Sequence, residues 1–223
     1  MATAVGPNIV TDGLIYAIDA GSTRSYPGSG ATVDDLVGAT SGSLINGVTY
    51  SSNNAGKWEF DGVDQSLNID LIELGNFTIS QFIKFPTSSA RMSIGGGNNA
   101  SGGTFRGYIW YRSNVSPQEI RVTVDQEQRG GVFKVPGSTY LDGWSEITAT
   151  RTGSTYKLYV NGVQVDITRT GSTNQFSIRT IGWSYSNGYA FDGDISNTLI
   201  YNAALTDAQV LQNFNAQKSR FPN

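Results

Sequence analysis

The chain has 223 residues, a formal net charge of −3, and neither cysteine nor histidine. Disulfides, thiolate metal sites, imidazole ligands and any Ser-His or Cys-His nucleophilic pair are excluded. An acidic balance without a basic stripe does not suit phosphate backbones, so no nucleic-acid partner is expected. No apolar run approaches a membrane span, so no membrane partner is expected, and residues 1–8 have no basic or apolar signal pattern. A chain of this length can bury about 70% of its unfolded surface in one core.

In chain order, residues 1–12 read as an extended arm, with Pro7 blocking regular pairing, and residues 13–223 as one domain. Leu14–Asp19 is the first predicted strand, closed by Ala20-Gly21. Residues 25–30 form a loop by composition, Asp34-Asp35-Leu36 reads as a single helical turn, and Gly42–Asn46 as a short edge strand ended by Asn46-Gly47. Lys57–Phe60 alternates, Asp61-Gly62 turns, and Ser66–Ile69 is another short strand. Phe77–Phe85 alternates up to Pro86. Arg91–Ile94 precedes Gly95-Gly96-Gly97-Asn98-Asn99, read as a flexible loop. Gly107–Arg112, Ile120–Asp125 and Val132–Val135 are strands by aromatic and β-branched content, with Pro136-Gly137 turning after them.

The strongest local signal is Asn161-Gly162 between two alternating runs, because both central residues of a tight hairpin turn need φ > 0. That turn predicts pairs Val160–Val163, Leu158–Val165 and Tyr156–Ile167 on one buried face. Tyr159–Gln164 and the opposite charges Lys157–Asp166 fall on the other. Thr-Arg-Thr-Gly-Ser-Thr occurs twice, at 150–155 and 168–173, where the strands reverse. The pattern predicts a four-strand meander: Glu146–Arg151, Tyr156–Val160, Val163–Arg169 and Phe176–Gly182. The repeat is turn chemistry, with Arg151 and Arg169 as a candidate binding edge. After a loop tip at 184–189, Phe191-Asp192-Gly193-Asp194 leads into the last strand, Ile195–Tyr201. One helix follows. Thr206 and Gln209 form a capping box, Leu205 staples onto Val210, and Val210, Leu211 and Phe214 make an apolar stripe.

Four stretches together resemble one family. They are Ile9 to Leu14 through Asp19-Ala20-Gly21 and Ser25 to Gly30; the Phe60-Asp61-Gly62 turn; the Leu158 to Gly162 hairpin; and Gly193-Asp194-Ile195 through Ile200 to Thr206. The chain resembles a laminin G-like domain of the concanavalin A-like lectin/glucanase superfamily. The segment Val210 to Asn215 with Lys218 to Phe221 is similar to versions in tailed-bacteriophage virion proteins. The resemblance implies an all-β fold, a two-sheet antiparallel jelly-roll sandwich with one short C-terminal helix. It also implies a non-enzymatic virion structural protein, a head decoration or tail component made in the host cytoplasm. With the N-terminal Met, it sets the expectation of a separate subunit. Expected partners are other virion proteins, host surface glycans and further copies in a symmetric homo-oligomer. The arm and the helix are the expected docking elements. The alternative is a carbohydrate-binding adhesin recognising host surface glycans.

Hydrolysis of a glycosidic bond needs two carboxylates roughly 5 to 9.5 Å apart. Superfamily glucanases place them as Glu-x-Asp-x-x-Glu or Glu-x-Asp-x-Glu, and the chain has neither pattern. The nearest approaches, Asp125-Gln126-Glu127 and Asp192-Gly193-Asp194, sit at turn-like sites. The expectation is no enzymatic activity. Many relatives carry calcium at the sandwich rim, and Asp61, Asp64, Asp192 and Asp194 are the candidate donors. Ser196 stands where many relatives have an acid. Glycan candidates are Trp110 and Tyr111 with Asn98 and Asn99, and Tyr185, Asn187 and Tyr189 in the loop tip. Trp58, Trp110, Trp144 and Trp183 are expected to plug the core between the sheets.

Overall fold

A computed structural model describes residues 8–38, 40–85, 91–98, 105–113, 115–124, 131–135, 143–184 and 189–221. In chain order the strands are β1 (Leu14–Asp19), β2 (Thr32–Asp34), β3 (Ser41–Ile45), β4 (Thr49–Ser51), β5 (Lys57–Asp61), β6 (Ser66–Leu74), β7 (Phe77–Lys84), β8 (Arg91–Asn98) and β9 (Phe105–Arg112). They continue as β10 (Gln118–Thr123), β11 (Gly131–Val135), β12 (Trp144–Thr152), β13 (Thr155–Val160), β14 (Val163–Thr170), β15 (Phe176–Ile181), β16 (Trp183–Ser184), β17 (Tyr189–Ala190) and β18 (Asp192–Tyr201). Helix α1 (Asp207–Gln217) closes the chain with a 3-10 turn.

Two antiparallel sheets stack as a sandwich. The first runs β14-β13-β12-β7-β18-β5-β4, with β1 also paired to β18, and the second runs β11-β10-β9-β8-β15-β6-β3-β2. Their inner faces share one core, which includes Trp58, Phe77, Ile83, Ile109, Tyr111, Phe133, Leu158, Phe176, Ile178 and Ile200. Residues Asn8–Asp12, α1 and Phe221 add a third layer on the outer face of the first sheet. Val10, Leu205 and Val210 pack there on Ala17, Tyr159, Leu199 and Tyr201. Phe221 and Phe214 pack on Phe82 and Trp144. This cover is why β7 and β18 are buried on both faces although their sequences alternate.

The Asn161-Gly162 hairpin forms as expected, with φ of 53° and 77°. Val160–Val163, Tyr159–Gln164 and Leu158–Val165 pair as predicted. The register then slips. Tyr156 faces Arg169, not Ile167, so Asp166, Ile167 and Thr168 all oppose Lys157. Asp166 takes the left-handed φ of 62°, as a bulge demands. Its carboxylate accepts from the Lys134 amide at 2.8 Å, from the Ile167 amide at 2.7 Å and from Arg169 Nη2. Those three bonds outcompete the cross-strand pair with Lys157, which turns to Asp207 instead at 2.8 Å. Ile167 is 65% exposed and Val163 60%, so the expected six-residue buried face shrinks to Tyr156, Leu158, Val160 and Val165.

The meander has three strands, not four. After β14 the chain crosses to the second sheet, where β15 pairs with β6 and β8. Gly95–Gly97 lie inside β8 rather than in a loop. A Cβ at Gly96 would stand 2.8 Å from the Gly107 carbonyl, and one at Gly97 3.0 Å from the Arg179 amide, so these glycines permit close strand approach. Asp34-Asp35-Leu36 is not a helical turn, because the Leu36 amide and the Asp35 carboxylate bond the main chain of Ala17 at 2.8 and 2.9 Å. The strand at 41–45 is internal, with β2 outside it. Trp58 sits between the sheets as expected, whereas Trp144 lies in the third layer and Trp183 is half-buried.

The α1 capping box forms: Thr206 Oγ1 accepts from the Gln209 amide at 3.3 Å, and Gln209 Oε1 accepts from the Thr206 amide at 2.9 Å. The buried face of the helix differs from the predicted stripe. It carries Val210, Asn213 and Gln217, while Leu211 is exposed. Asn213 accepts from the Val10 amide at 2.8 Å and donates to Tyr201 Oη at 2.9 Å, and that hydroxyl donates to the Val10 carbonyl at 3.0 Å. The described part of the arm is therefore docked on its own chain.

Candidate functional site

The two Thr-Arg-Thr-Gly-Ser-Thr segments meet at one end of the sandwich. Thr155 pairs with Thr170, and the Gly171 amide donates to the Ser154 carbonyl at 2.8 Å. Arg151, Tyr156 and Arg169 are cross-strand neighbours on β12, β13 and β14, so they form one row on the face turned toward the second sheet. The position in the row decides each role. Arg151 is 2% exposed. Its guanidinium donates to the carbonyls of Gly153, Asn174 and Thr173, and it lies 5.7 Å from the Tyr156 ring centroid. Arg169 stands at the open edge of the row, a third exposed, braced by Asp166.

Beyond Arg169 lies a hollow of about 690 Å³ between β14 and β11. Arg169, Thr170, Ser172, Thr173 and Asn174 line it, with Gly131, Val132 and Gly171. No carboxylate is among these lining residues. Burial acts against the Asp166 carboxylate, but the Lys134 and Ile167 amides and Arg169 outweigh it and hold its pKa below the usual range. The described lining therefore combines a guanidinium braced by Asp166 with hydroxyl-bearing residues, an asparagine and glycines, a polar set able to hydrogen-bond a ligand. The sequence signal for this place was the repeat itself.

The aromatic candidates are arranged differently. Tyr111 points into the core and packs on Phe85 at 4.5 Å, so it is no surface platform. Trp110 lies on the outer face of the second sheet yet is only 4% exposed. The Tyr189 ring stacks on it at 6.1 Å and 4°. Arg121 and Arg112 approach its ring at 5.0 and 5.6 Å, and both pair with Glu119, at 2.8 and 3.4 Å. Its Nε1 donates to Thr123 at 3.3 Å. The ring is occupied by protein contacts, leaving half-buried Tyr189 toward solvent. Tyr185, Asn187, Asn99, the Asp125-Gln126-Glu127 set and Pro136-Gly137 lie outside the described residues, as does the side chain of Asn98.

The acidic candidates do not assemble a calcium site. Asp61 Oδ1 accepts from the Val63 amide at 2.9 Å, a turn bond, and Asp64 accepts from Asn46 through its carbonyl at 3.0 Å. Asp192 is registered opposite Asp61. Asp194, two residues on, bonds Lys57 at 2.8 Å, and Glu59 holds the same ammonium at 2.7 Å. Burial pulls the Lys57 pKa down, but these bonds prevail and raise it. With a cation already among the acids, the residues do not fit a calcium ion. Among the described residues no group of three or more acidic side chains could hold a metal.

The fold has known relatives in structure. Trypanosoma rangeli sialidase in complex with 2,3-difluorosialic acid superposes with a TM-score of 0.66 at 15% identity, over 96% of this chain and 35% of that one. The chain thus spans about a third of the length of the sialidase structures it matches. Domain 4 of an extracellular arabinanase from Geobacillus stearothermophilus, solved with arabinotriose, gives a TM-score of 0.62 at 14% identity, over 91% of this chain and 98% of that one. The receptor-binding domain of botulinum neurotoxin type G gives 0.58 at 15% identity, over 92% of this chain and 51% of that one. No curated protein matches the sequence significantly. The laminin G type profile of the concanavalin A-like lectin/glucanases superfamily matches residues 61–211, more than half of the chain, and the chain belongs to that family.

Proposed function

We propose that this chain is a non-catalytic glycan-recognition domain, and that the hollow beside Arg169 is where it binds. The observation that carries the reading is the lining: Arg169 braced by Asp166, the hydroxyl-bearing Thr170, Ser172 and Thr173, and Asn174, with no carboxylate among the described lining residues. Such a wall can hydrogen-bond sugar hydroxyls in any state of protonation, and it cannot protonate a leaving group. An arabinanase domain of the same fold and nearly the same length, solved with arabinotriose, supports the ligand class. Binding at one shallow hollow is weak, and its strength comes from several copies acting together.

The test is a glycan array followed by calorimetry on the wild type and on Arg169→Ala. Binding of a neutral oligosaccharide that Arg169→Ala weakens at least tenfold supports the reading. No binding across the array, or binding indifferent to Arg169, overturns it. Turnover of any β-glucan overturns the non-catalytic assignment.

The setting we propose is the surface of a virion, as a head decoration or tail component, with host surface glycans as ligands and neighbouring virion proteins as partners. What favours it is the sequence resemblance of residues 210–221 to tailed-phage versions of the domain. Co-sedimentation of the subunit with purified particles, and its release by mild denaturant with infectivity retained, is the result expected of a decoration protein.

A further inference from the structure

Glu146 lies on β12 on the outer face of the first sheet, beneath the third layer. The pleat turns Ile147 and Ala149 into the sandwich core and leaves Trp144, Glu146 and Thr148 on the opposite side. Trp144 packs on Phe221 at 4.9 Å, and Phe82, registered opposite Glu146, stacks on Phe221 at 4.3 Å and on Phe214 at 6.1 Å. Glu146 is 1% exposed. One carboxyl oxygen accepts from Ser80 Oγ at 2.9 Å, and Oε2 has no protein partner. Its main chain is fastened on both sides by Asn161, which accepts from its amide at 2.9 Å and donates to its carbonyl at 2.9 Å.

Among the described residues no cation answers this carboxyl. On the same seam, β7 contributes Ser80 and Phe82, β13 contributes Tyr159, β18 contributes Asn197 and Tyr201, and α1 contributes Val210, Asn213, Phe214 and Gln217. Burial pushes the Tyr201 phenol up to about 12, and burial with the Asp207 contact pushes Tyr159 higher, so both stay neutral. The charges at the margins are engaged elsewhere. Asp207 holds Lys157 and Tyr159, Lys218 sits over the Phe214 ring at 5.5 Å, and Arg220 holds Asp19 at 2.6 Å. A carboxylate in such a place loses its water and gains only the Ser80 bond in return, so the neutral acid is the form that fits. Burial raises the Glu146 pKa to about 8, against a smaller pull downward from Ser80.

We propose that Glu146 is a proton-operated latch for the clasp that α1 and residues 8–12 form over the first sheet, shut while the carboxyl is protonated and loosened as the proton leaves. The arm moves with the helix, because Asn213 accepts from the Val10 amide and Gln212 Nε2 donates to the Asn8 carbonyl at 2.8 Å. Lifting the clasp brings Glu146 to water, where a glutamate ionises near pH ~4.3. The open form therefore holds its proton less tightly than the closed form. Opening rises with pH, by at most about tenfold per unit, from that value up to the closed-state value, and levels off above it. The face uncovered is apolar: Phe82, Trp144, Leu199 and Tyr201.

Hydrogen exchange of the intact chain from pH 5 to 9, corrected for the intrinsic rate, tests this directly. The expected result is that amides of α1 open several-fold to about tenfold more per pH unit between 5 and 8, then level off, while β9 and β15 in the second sheet hold steady. Glu146→Gln, which keeps the acceptor for Ser80, is expected to flatten the profile. Ser80→Ala, which removes the one bond favouring the charged form, is expected to move the plateau to higher pH. A wild-type profile independent of pH overturns the latch. So does an unchanged slope in Glu146→Gln, a plateau unmoved in Ser80→Ala, or exchange of β9 and β15 in step with α1, which is unfolding of the whole sandwich.

Discussion

Arg151 Nη2 donates to the carbonyl of Thr173 at 2.7 Å, joining the first strand of the meander to the segment that carries the chain into the other sheet. The same guanidinium serves the Gly153 and Asn174 carbonyls. Replacing it by Met leaves the Gly153, Thr173 and Asn174 carbonyls without their charged donor, each such bond worth about 1 kcal/mol or more. We expect Arg151→Met to lose about 3 kcal/mol, read as a fall of roughly 6–12 °C in melting temperature for a chain of this size. Arg169, in the same row but at the open edge, is expected to cost about 0–1 kcal/mol on truncation. Thermal melts of the two variants separate the structural arginine from the one that lines the hollow.

The bulge in β14 predicts which charges couple. A double-mutant cycle between Lys157 and Asp166 is expected to give about zero, whereas Lys157 with Asp207 is expected to give roughly 0.2–1 kcal/mol, the range of exposed pairs. A sizeable Lys157–Asp166 coupling in denaturant titrations contradicts the observed register.

Asp166 and Glu146 make stability depend on pH in opposite directions. The Asp166 pKa is lowered in the folded chain. Its contribution is present above the unfolded aspartate value of ~3.9 and is lost as pH falls through the folded value. The Glu146 pKa is raised to about 8. Relative to the unfolded chain, it withdraws stability as pH rises from ~4.3, and the loss is complete above the folded value. Denaturant midpoints are thus expected to peak in mildly acid solution. Asp166→Asn is expected to lessen the fall on the acid side, which Glu59 and Asp207 share because their pKa values are also lowered, and Glu146→Gln to remove the fall toward alkaline pH.

The capping box predicts a local effect. Thr206→Ala is expected to cost about 1 kcal/mol, confined to α1, and to appear as faster exchange of the helix amides at constant pH.

Calcium provides a negative test with a clear readout. Because Lys57 sits among the acids that were candidates for a rim site, excess calcium or a chelator is expected to leave the melting temperature unchanged. A shift of several degrees on calcium addition places a site among other residues.

Much of the fold was legible from residue order. The Leu14–Asp19 strand, the Asn161-Gly162 turn and the Thr206 capping box all depend on backbone angles or on contacts three to five residues away. Sequence alternation also placed Trp58 and Leu158 in the core. The errors share another cause. Gly95–Gly97 looked like a loop because glycine is permissive; neighbouring backbones at 2.8 to 3.1 Å from a would-be Cβ made the same residues a strand. Lys157 and Asp166 looked like a pair because two extra residues in β14 cannot be seen in the alternation.

The candidate site was less legible still. Trp110 and Tyr111 have the composition of a sugar platform, yet the sheet turned one inward and stacked Tyr189 over the other. The two arginines of the repeat are identical in local sequence. One became a buried brace and the other a wall of the hollow, because β12 lies inside its sheet and β14 at its edge. Residue order alone determined the turns, the helix cap, the apolar alternation and the absence of thiol and imidazole chemistry, since each follows from near neighbours or from composition. Tertiary structure alone decided the bulge, the third layer over Glu146 and which polar groups face water, because burial is set by what another part of the chain lays on top.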